Sequence, residues 1–429
     1  MRPAGVGPGA KPRLREVEFS ESPFLVIWEV TQACDLACLH CRAEARPGRD
    51  DGELSTAEGK RLMDQVRRFG RPLFVLTGGD PLKRPDVVEL VGYGASIGLR
   101  MGMTPSGTPS MTRDVLIELK AAGLARLAVS LDGSTAAIHD RFRGVAGSFD
   151  WTVRMLRAAR EIGLSTQINT TVSRYNLEDF EGLIELMCAM EISLWSVFFL
   201  VPTGRARAED IASPEEFERI FERMYELSKT APFDIKSTAA PQYRRVILQH
   251  QTRERRASRG DATPGPPTGG IGFSMADGVG RAKGVNDGNG FLFVSHLGEI
   301  FPSGFLPKSE GNVRTHDLVE VYRGSPLFRA LRDADQLKGK CGVCEYRRVC
   351  GGSRARAYAL TGDPLEAEPF CTYVPERYAR MVETGEADDV ERYFGWRVPG
   401  WRSAPRPPLA VMRENVSLRF HADRGESPA

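Results

Sequence analysis

The sequence has no excess of charge of either sign: 58 Lys and Arg stand against 56 Asp and Glu, a formal net charge of +2. That balance gives no electrostatic footprint for a nucleic acid or an anionic membrane. Long hydrophobic runs are also missing. The longest, residues 194–201, is interrupted by a serine and falls far short of the roughly 20 residues that cross a bilayer. Residues 1–22 are rich in Pro, Gly and charge, with none of the roughly 7–15 residue apolar stretch of a signal peptide. Nor do the eight cysteines make a disulfide framework: three cluster early, four cluster late and Cys188 stands alone, which is ligand grouping. These absences predict a cytoplasmic protein in a reducing compartment, without a membrane segment and without a nucleic-acid partner.

What is present is ordinary globular material, 41% hydrophobic and 27% charged over 429 residues, enough for about two or three domains. Residues 24–30 read as a nearly continuous apolar strand, as buried parallel strands do. Ser55 with Glu58 is a capping box opening a helix to about residue 69. The alternation continues with strands at 73–76, 99–103, 127–131, 164–172 and 194–200 and helices at 85–97, 112–122, 149–162 and 176–190. Ser213 with Glu216 opens a further helix to about residue 229. Six strand-helix units predict an α/β fold with a parallel sheet, right-handed crossovers and chemistry at the strand C-terminal ends. Periodicity alone fits an open partial barrel and a Rossmann-like sheet equally well.

Directly after the first strand, Cys34, Cys38 and Cys41 stand at Cys-x3-Cys-x2-Cys spacing. Three thiolates there can converge on one small object. A cubane 4Fe-4S cluster takes cysteine thiolates, and three of them leave one iron free. Zinc with three cysteines plus His40 or water is the other reading, although structural zinc sites usually pair two short ligand clusters. Later, Cys341, Cys344, Cys350 and Cys371 supply four thiolates, enough to close a cluster or a structural zinc site completely.

The Cys34, Cys38, Cys41 loop resembles the signature of the radical S-adenosylmethionine (SAM) enzymes. The resemblance implies a (βα)6 partial TIM barrel, with a 4Fe-4S cluster after the first strand whose open iron binds SAM. It implies reductive cleavage of SAM to a 5'-deoxyadenosyl radical that abstracts hydrogen from substrate, and an electron donor such as flavodoxin or ferredoxin. The three cysteines are then catalytic as well as metal ligands. Gly78, Gly79 and Asp80 resemble the family's Gly-Gly-Glu motif for the SAM amino group, where glycine permits close backbone approach. Ser130 and Asp132 after the fourth strand, and Asn169 and Thr171 in the fifth, resemble segments lining the SAM ribose and carboxylate. Thr104 to Gly107 carries a weaker likeness. His40 stands where the family has an aromatic, which favours packing over ligation. Cys188 reads as a core residue, and His296 and His316 as loop histidines, with acid or substrate-ligand roles the alternative.

Residues 290–371 are similar to the C-terminal auxiliary-cluster extension called SPASM, or its smaller relative twitch, which implies a second, auxiliary 4Fe-4S cluster on the four late cysteines. Ser303 and Ser353 stand about where the larger version has further cysteines, so one auxiliary cluster is expected. The predicted organisation is an extended head (1–22), a radical SAM barrel (23–240), a Gly/Pro-rich linker or lid (241–289), a small irregular α+β auxiliary domain (290–380) with a hairpin at 290–301, and a C-terminal helix and tail (381–429).

Three stretches, 198–206, 295–305 and 351–358, resemble the haem-modifying radical SAM enzymes of d1-haem and alternative haem biosynthesis. That resemblance implies a small-molecule tetrapyrrole substrate whose acetate or propionate side chains lose carbon. Arg205, Arg354 and Arg356 are then expected partners for its carboxylates. A SPASM maturase of a ribosomal peptide is the alternative, against which the 22-residue head counts as too short for a peptide-binding module. A non-catalytic Fe-S electron carrier is the alternative of another class. It needs neither an open iron nor a Gly-Gly-Asp shelf.

Overall fold

The computed structural model describes residues 18–259 and 284–386. Expectations for the head up to residue 17, the Gly/Pro run from 260, a helix at 388–394 and the tail lie outside them.

Seven strands pair in parallel and in chain order: β1 (Leu25–Glu29), β2 (Leu73–Thr77), β3 (Arg100–Met103), β4 (Leu124–Ser130), β5 (Ser165–Val172), β6 (Leu194–Phe199) and β7 (Asp234–Thr238). Between them run α1 (Thr56–Arg67), α2 (Val87–Ser96), α3 (Arg113–Ala121), α4 (Ala136–Arg143), α5 (Ser148–Glu161), α6 (Phe180–Ala189) and α7 (Pro214–Ser228). Then come α8 (Gln242–Arg259), β8 (Phe291–Val294), β9 (Ile300–Phe301), α9 (Leu318–Gly324), α10 (Pro326–Arg332), α11 (Gly339–Gly342), α12 (Arg354–Thr361) and α13 (Glu376–Glu383). The sheet order is β7-β6-β5-β4-β3-β2-β1-β8-β9. Residues of β1 to β8 all line one cavity, so the sheet curls into an open barrel with free edges at β7 and β9.

Local sequence explains the elements. Both capping boxes form: Ser55 accepts from the Glu58 amide and Ser213 from the Glu216 amide, with each glutamate reaching back, which satisfies two helix-end N–H groups apiece. Trp28 of β1 is fully buried beneath α1, where a Cβ on Gly59 would stand 2.4 Å from its ring. Removing such a ring from water is worth roughly 4–6 kcal/mol before entropy costs. Along β5 the residues alternate. Ile168 and Val172 are buried towards the helices, whereas Gln167, Asn169 and Thr171 face the cavity, so polar side chains keep the lumen open instead of filling it.

The structure departs from the sequence reading in five places, the first being β7, a seventh parallel strand beside β6 where six strand-helix units were expected. Residues 242–259, expected as linker, form α8, which buries Tyr243 and Val246 against the barrel. Arg245 pairs with Glu218 and His250 with Glu222 of α7. The basic composition of this stretch concealed an apolar face at helical spacing. The boundary at 290 also fails to separate two bodies, because β8 extends the barrel sheet: Leu25 pairs with Phe291 and Trp28 with Val294 in parallel. The expected hairpin to β9 is present beside it, with Phe293 opposite Phe301. Helix α4 was not expected at all. Cys188, expected in the core, is exposed; Phe180, Leu183, Ile184 and Met187 carry the buried face of α6, and residue 188 lies about 100° round from Met187. Among the described residues no helix is long and apolar enough to cross a membrane.

Candidate functional site

The loop after β1 brings Cys34, Cys38 and Cys41 into one cluster with Leu36, and all three line the mouth of the barrel cavity. Each sulfur already meets a donor. Leu36 N–H donates to Cys34 Sγ at 3.3 Å, Ala45 N–H to Cys41 Sγ at 3.4 Å and Arg143 Nη1 to Cys38 Sγ at 3.6 Å. Ser106 Oγ lies 3.2 Å from Cys34 Sγ. Burial pushes the Cys34 thiol up against those hydrogen bonds, so its thiolate needs a cation to settle there.

The Gly-Gly-Asp turn after β2 is built against this loop. Gly79 N–H donates to Thr31 O at 2.8 Å and Asp80 N–H to Ala33 O at 2.7 Å. A Cβ on Gly78 would stand 2.4 Å from Thr31 O, and one on Gly79 2.4 Å from Ala33 O. Only glycine allows this approach. Gly78 and Gly79 line the cavity, as do Ser130, Asn169 and Thr171. Asp80 and Asp132, expected as cofactor contacts, do not. Asp80 is buried and accepts from Leu82 N–H (3.2 Å), Thr108 Oγ1 (3.2 Å) and Ser106 N–H (3.4 Å). Asp132 is buried, accepts from Thr171 N–H at 2.6 Å and pairs with Arg143. Burial pushes both carboxyls up. Both carboxylates act on the backbone turns around the cavity, which a motif match does not separate from ligand binding.

Arg143, from the unexpected α4, is the main residue that sequence reasoning missed. It is buried, lines the cavity beside Cys38, and its Nε has no partner. Ser106, in the stretch of weaker likeness, ties Cys34 to Gly79 O (2.9 Å). Asn176 does not cap α6 with its side chain; its Nδ2 donates to Asp132 O and Thr171 O, both at 3.0 Å. His40 lies flat on Phe142, ring centroids 4.2 Å apart and planes 5° from parallel. Burial holds it well below the usual histidine range, hence neutral, and packing is its visible role. His139 is likewise pushed down to about 3 by burial, and its Nδ1 accepts from Asp132 N–H at 3.0 Å.

The three arginines expected to meet substrate carboxylates are structural. Arg205 braces the cysteine loop, donating to Cys38 O at 3.0 Å and Ala45 O at 3.2 Å. Arg354 holds Pro364 O and Glu366 O. Arg356 is fully buried, bonded to Phe199 O, Leu200 O and Ala239 O and paired with Glu368 at 3.3 Å. All three sit near sharp turns whose carbonyls need donors. The cations that do line the cavity are Arg42, Arg126, Arg143, Lys236 and Arg244. Lys236 is pushed down to about 8 by burial and by the Arg126 charge. The same cavity is lined by the apolar residues Ile27, Val75, Phe198, Phe291, Phe293 and Phe305, and Arg42 lies over the Phe293 ring, 4.7 Å from its centroid. The whole space, including its open mouth, is about 2370 Å³.

His296 is no ordinary loop histidine. It is buried with Nδ1 2.9 Å from Glu29 Oε1, and Arg42 Nη2 lies 2.5 Å from Glu29 Oε2. Burial pushes Glu29 up, but the Arg42 charge and the His296 hydrogen bond outweigh it and hold the carboxyl below its usual range. This chain of contacts joins the cysteine loop to the turn after β8. His316, by contrast, only closes its own loop through Asn312 and Thr315.

Cys341, Cys344, Cys350 and Cys371 line a second, smaller cavity of about 340 Å³, its open side included. Burial pushes Cys344 up to about 12 and raises Cys350 and Cys371 as well. Glu368 N–H donates to Cys341 Sγ at 3.3 Å and Gly352 N–H to Cys350 Sγ at 3.4 Å. Gln242, on the same cavity, is fully buried with neither amide atom bonded, an arrangement that costs on the order of 1–3 kcal/mol per group. Ser353 caps α12, and Ser303 accepts from Phe305 N–H at 3.1 Å; each hydroxyl has a local structural task. Among the described residues no His, Cys, Asp and Glu side chains are gathered to hold a single metal ion.

An open parallel barrel with three thiols on the loop after its first strand, beside a glycine shelf on the second, defines a class. The chain belongs to the radical SAM superfamily, whose model matches residues 28–187, and it is an enzyme that uses a 4Fe-4S cluster and S-adenosylmethionine. It is 42% identical over 361 residues to the AdoMet-dependent heme synthase of Methanosarcina barkeri, covering 84% of this chain and 99% of that one. The Fe-coproporphyrin III synthase of the same organism is 29% identical, covering 82% and 88%. In fold the chain is similar to SuiB of Streptococcus suis bound to S-adenosylmethionine, with a TM-score of 0.59 at 15% identity, covering 82% and 78%.

Proposed function

We propose that this enzyme modifies carboxylate side chains of a tetrapyrrole haem precursor. The observation that carries the reading is the single cavity in which the three thiols, an aromatic wall and several cations meet. A flat, apolar ring system bearing carboxylates matches that combination. The likeness to the two synthases named above supports the same substrate class.

Cys34, Cys38 and Cys41 hold the first cluster in this reading; three thiols, each already met by a donor and facing an open cavity, fit a cluster with one free iron. When bound, the reduced cluster supplies the electron that splits SAM into methionine and a radical able to take a hydrogen atom from substrate. Gly78 and Gly79 shape the shelf. Ser130 and Asn169 pair across neighbouring strands, with Thr171 two residues on, and they offer polar contacts to the nucleoside. Arg143, with its bare Nε, is suited to the SAM carboxylate. Arg126 and Lys236 take substrate carboxylates. The four late cysteines hold an auxiliary 4Fe-4S cluster; four thiolates lining one cavity complete the usual cysteine ligand set of a cubane. A small electron-transfer protein supplies the reducing electron.

The test is anaerobic absorbance titration with iron coproporphyrin III and with a sirohaem derivative, followed by product mass analysis. Saturable spectral change, substrate-dependent 5'-deoxyadenosine and a porphyrin of reduced mass are expected. Absence of both binding and substrate-dependent turnover sinks the tetrapyrrole reading while leaving the family intact. Metal counting separates the cluster assignments: about eight irons per chain for two cubanes, against about four irons and one zinc.

A further inference from the structure

The auxiliary cavity holds one group that its four thiols leave unexplained. Gln242, the first residue of the 18-residue helix α8, is fully buried and lines that cavity, yet neither Nε2 nor Oε1 has a hydrogen-bond partner. Its sequence neighbours face elsewhere: Ala239, Pro241 and Arg244 line the large cavity. The segment is therefore the wall between the two spaces, and Gln242 is its contribution to the auxiliary side. A buried amide bare at both ends is unfavourable unless whatever fills the cavity meets it. Two backbone groups on this cavity already direct N–H towards sulfur, and a buried arginine beside it does the same. Glu368 N–H and Gly352 N–H do so from the backbone, and Arg354 Nη2 lies 3.8 Å from Cys341 Sγ. A half-turn of the amide exchanges its two ends, so its NH2 can face the thiols.

We propose that the Gln242 amide donates a hydrogen bond to a sulfur of the auxiliary cluster and stabilises its reduced form. The inference rests on the auxiliary-cluster assignment above. The reduced cluster carries one more negative charge than the oxidised one, and an N–H aimed at sulfur favours that charge, raising the reduction potential. Gln242 is thus a positioning residue towards the auxiliary site, without contact to the SAM-binding cysteines.

The experiment uses full-length protein carrying Cys34→Ala, Cys38→Ala and Cys41→Ala, which isolates the auxiliary signal, reconstituted anaerobically with iron and sulfide. In this background Gln242→Met keeps the chain length and removes the amide. EPR-monitored redox titration is expected to show the same iron content and a midpoint potential shifted negative, with Gln242→Glu shifted further. In parallel, protein with Gln242 intact and glutamine amides labelled with 15N is expected to show a 15N coupling to the reduced cluster, absent from Gln242→Met. An unchanged potential, or no 15N coupling, overturns the inference. If Gln242→Met loses its iron, the coupling alone decides. Zinc without iron in the triple-alanine background refutes the auxiliary-cluster assignment instead, a result distinct from an iron cluster indifferent to Gln242.

Discussion

The two cysteine sites of this protein differ in the number of thiols they gather and in the size and lining of the space beside them. Cys34, Cys38 and Cys41 open onto a space of about 2370 Å³ shared with polar strand ends, cations and aromatic rings. Cys341, Cys344, Cys350 and Cys371 line a smaller space of about 340 Å³, its open side included. The first loop is held from outside: Gly79 and Asp80 pair with its backbone and Arg205 grips two of its carbonyls. The second is held both by its own segment, where Arg354 and Glu368 bridge turns between the cysteines, and from outside, where Arg244 donates to Val349 O at 3.1 Å and Asn286 to Gly352 O at 2.9 Å.

The largest test of this contrast is to remove one thiol from each site. Cys34→Ala is expected to abolish 5'-deoxyadenosine formation while auxiliary iron remains. Cys341→Ala is expected to lose the auxiliary metal and loosen residues 337–371, with uncoupled SAM cleavage retained. Iron counting, product chromatography and limited proteolysis check both. If Cys341→Ala abolishes SAM cleavage as completely as Cys34→Ala, the sites are not independent.

Gly79→Ala comes next. Its Cβ would stand 2.4 Å from Ala33 O and 2.5 Å from Gln32 O, so the cysteine loop must move. A misplacement of about 1 Å can cost about a hundredfold in rate, and a loss of that order in SAM cleavage is expected with near-normal auxiliary iron. Wild-type turnover would show that the close approach at Gly79 does not position the cysteine loop.

A smaller effect concerns Lys236, pushed down to about 8 by burial and by Arg126. It is charged below that pH and neutral above it. Affinity for a carboxylate-bearing substrate is therefore expected to fall as pH rises from 7 to 9, and Lys236→Met is expected to flatten the profile at lower affinity. Titrations across that range decide it; a parallel pH profile in the variant would exclude Lys236 from substrate binding.

The smallest expected effect lies at the seam between barrel and C-terminal region. The hydrogen bond from Arg314 and the Ser55 amide hold Glu58 down to about 2, and Arg314 Nε lies 2.7 Å from its Oε1. Because the folded value is depressed, this stabilisation is present above the unfolded carboxyl range and is lost as pH falls from about 4.5 to 2. Glu58→Gln is expected to cost about 0.5–1 kcal/mol near neutral pH, as capping and exposed ion pairs do, with less effect at pH 3. Denaturant melts at the two pH values measure it.

Elements with strong local signals were legible beforehand. The capping boxes at Ser55 and Ser213, the apolar strands and the early cysteine loop needed only nearest-neighbour chemistry. Helix α8 was not legible, because its polar composition outweighed the few apolar residues, Tyr243 and Val246, that decide its burial. Helix α4 was missed, and Arg143 with it, since a charged side chain eleven residues from Asp132 gives no sign that it turns back to meet it. The cations that line the cavity differ from the expected ones for the same reason. Arginines 205, 354 and 356 look available in the sequence, and only the packed turns reveal that backbone carbonyls occupy them.

The sequence by itself determined the chemistry: three thiols at one spacing, four at another, glycines beside the first set and the βα alternation that carries them. Those are local facts, set by covalent spacing and short-range hydrogen bonding. Tertiary structure alone decided which polar residues face the cavity and which brace it. Asp80 and Asp132 turned inward to backbone donors, Arg143 turned to Cys38, and β8 joined the barrel beside β1. Such choices depend on which buried donor or acceptor would otherwise go unmet, and that is settled only when distant segments pack together.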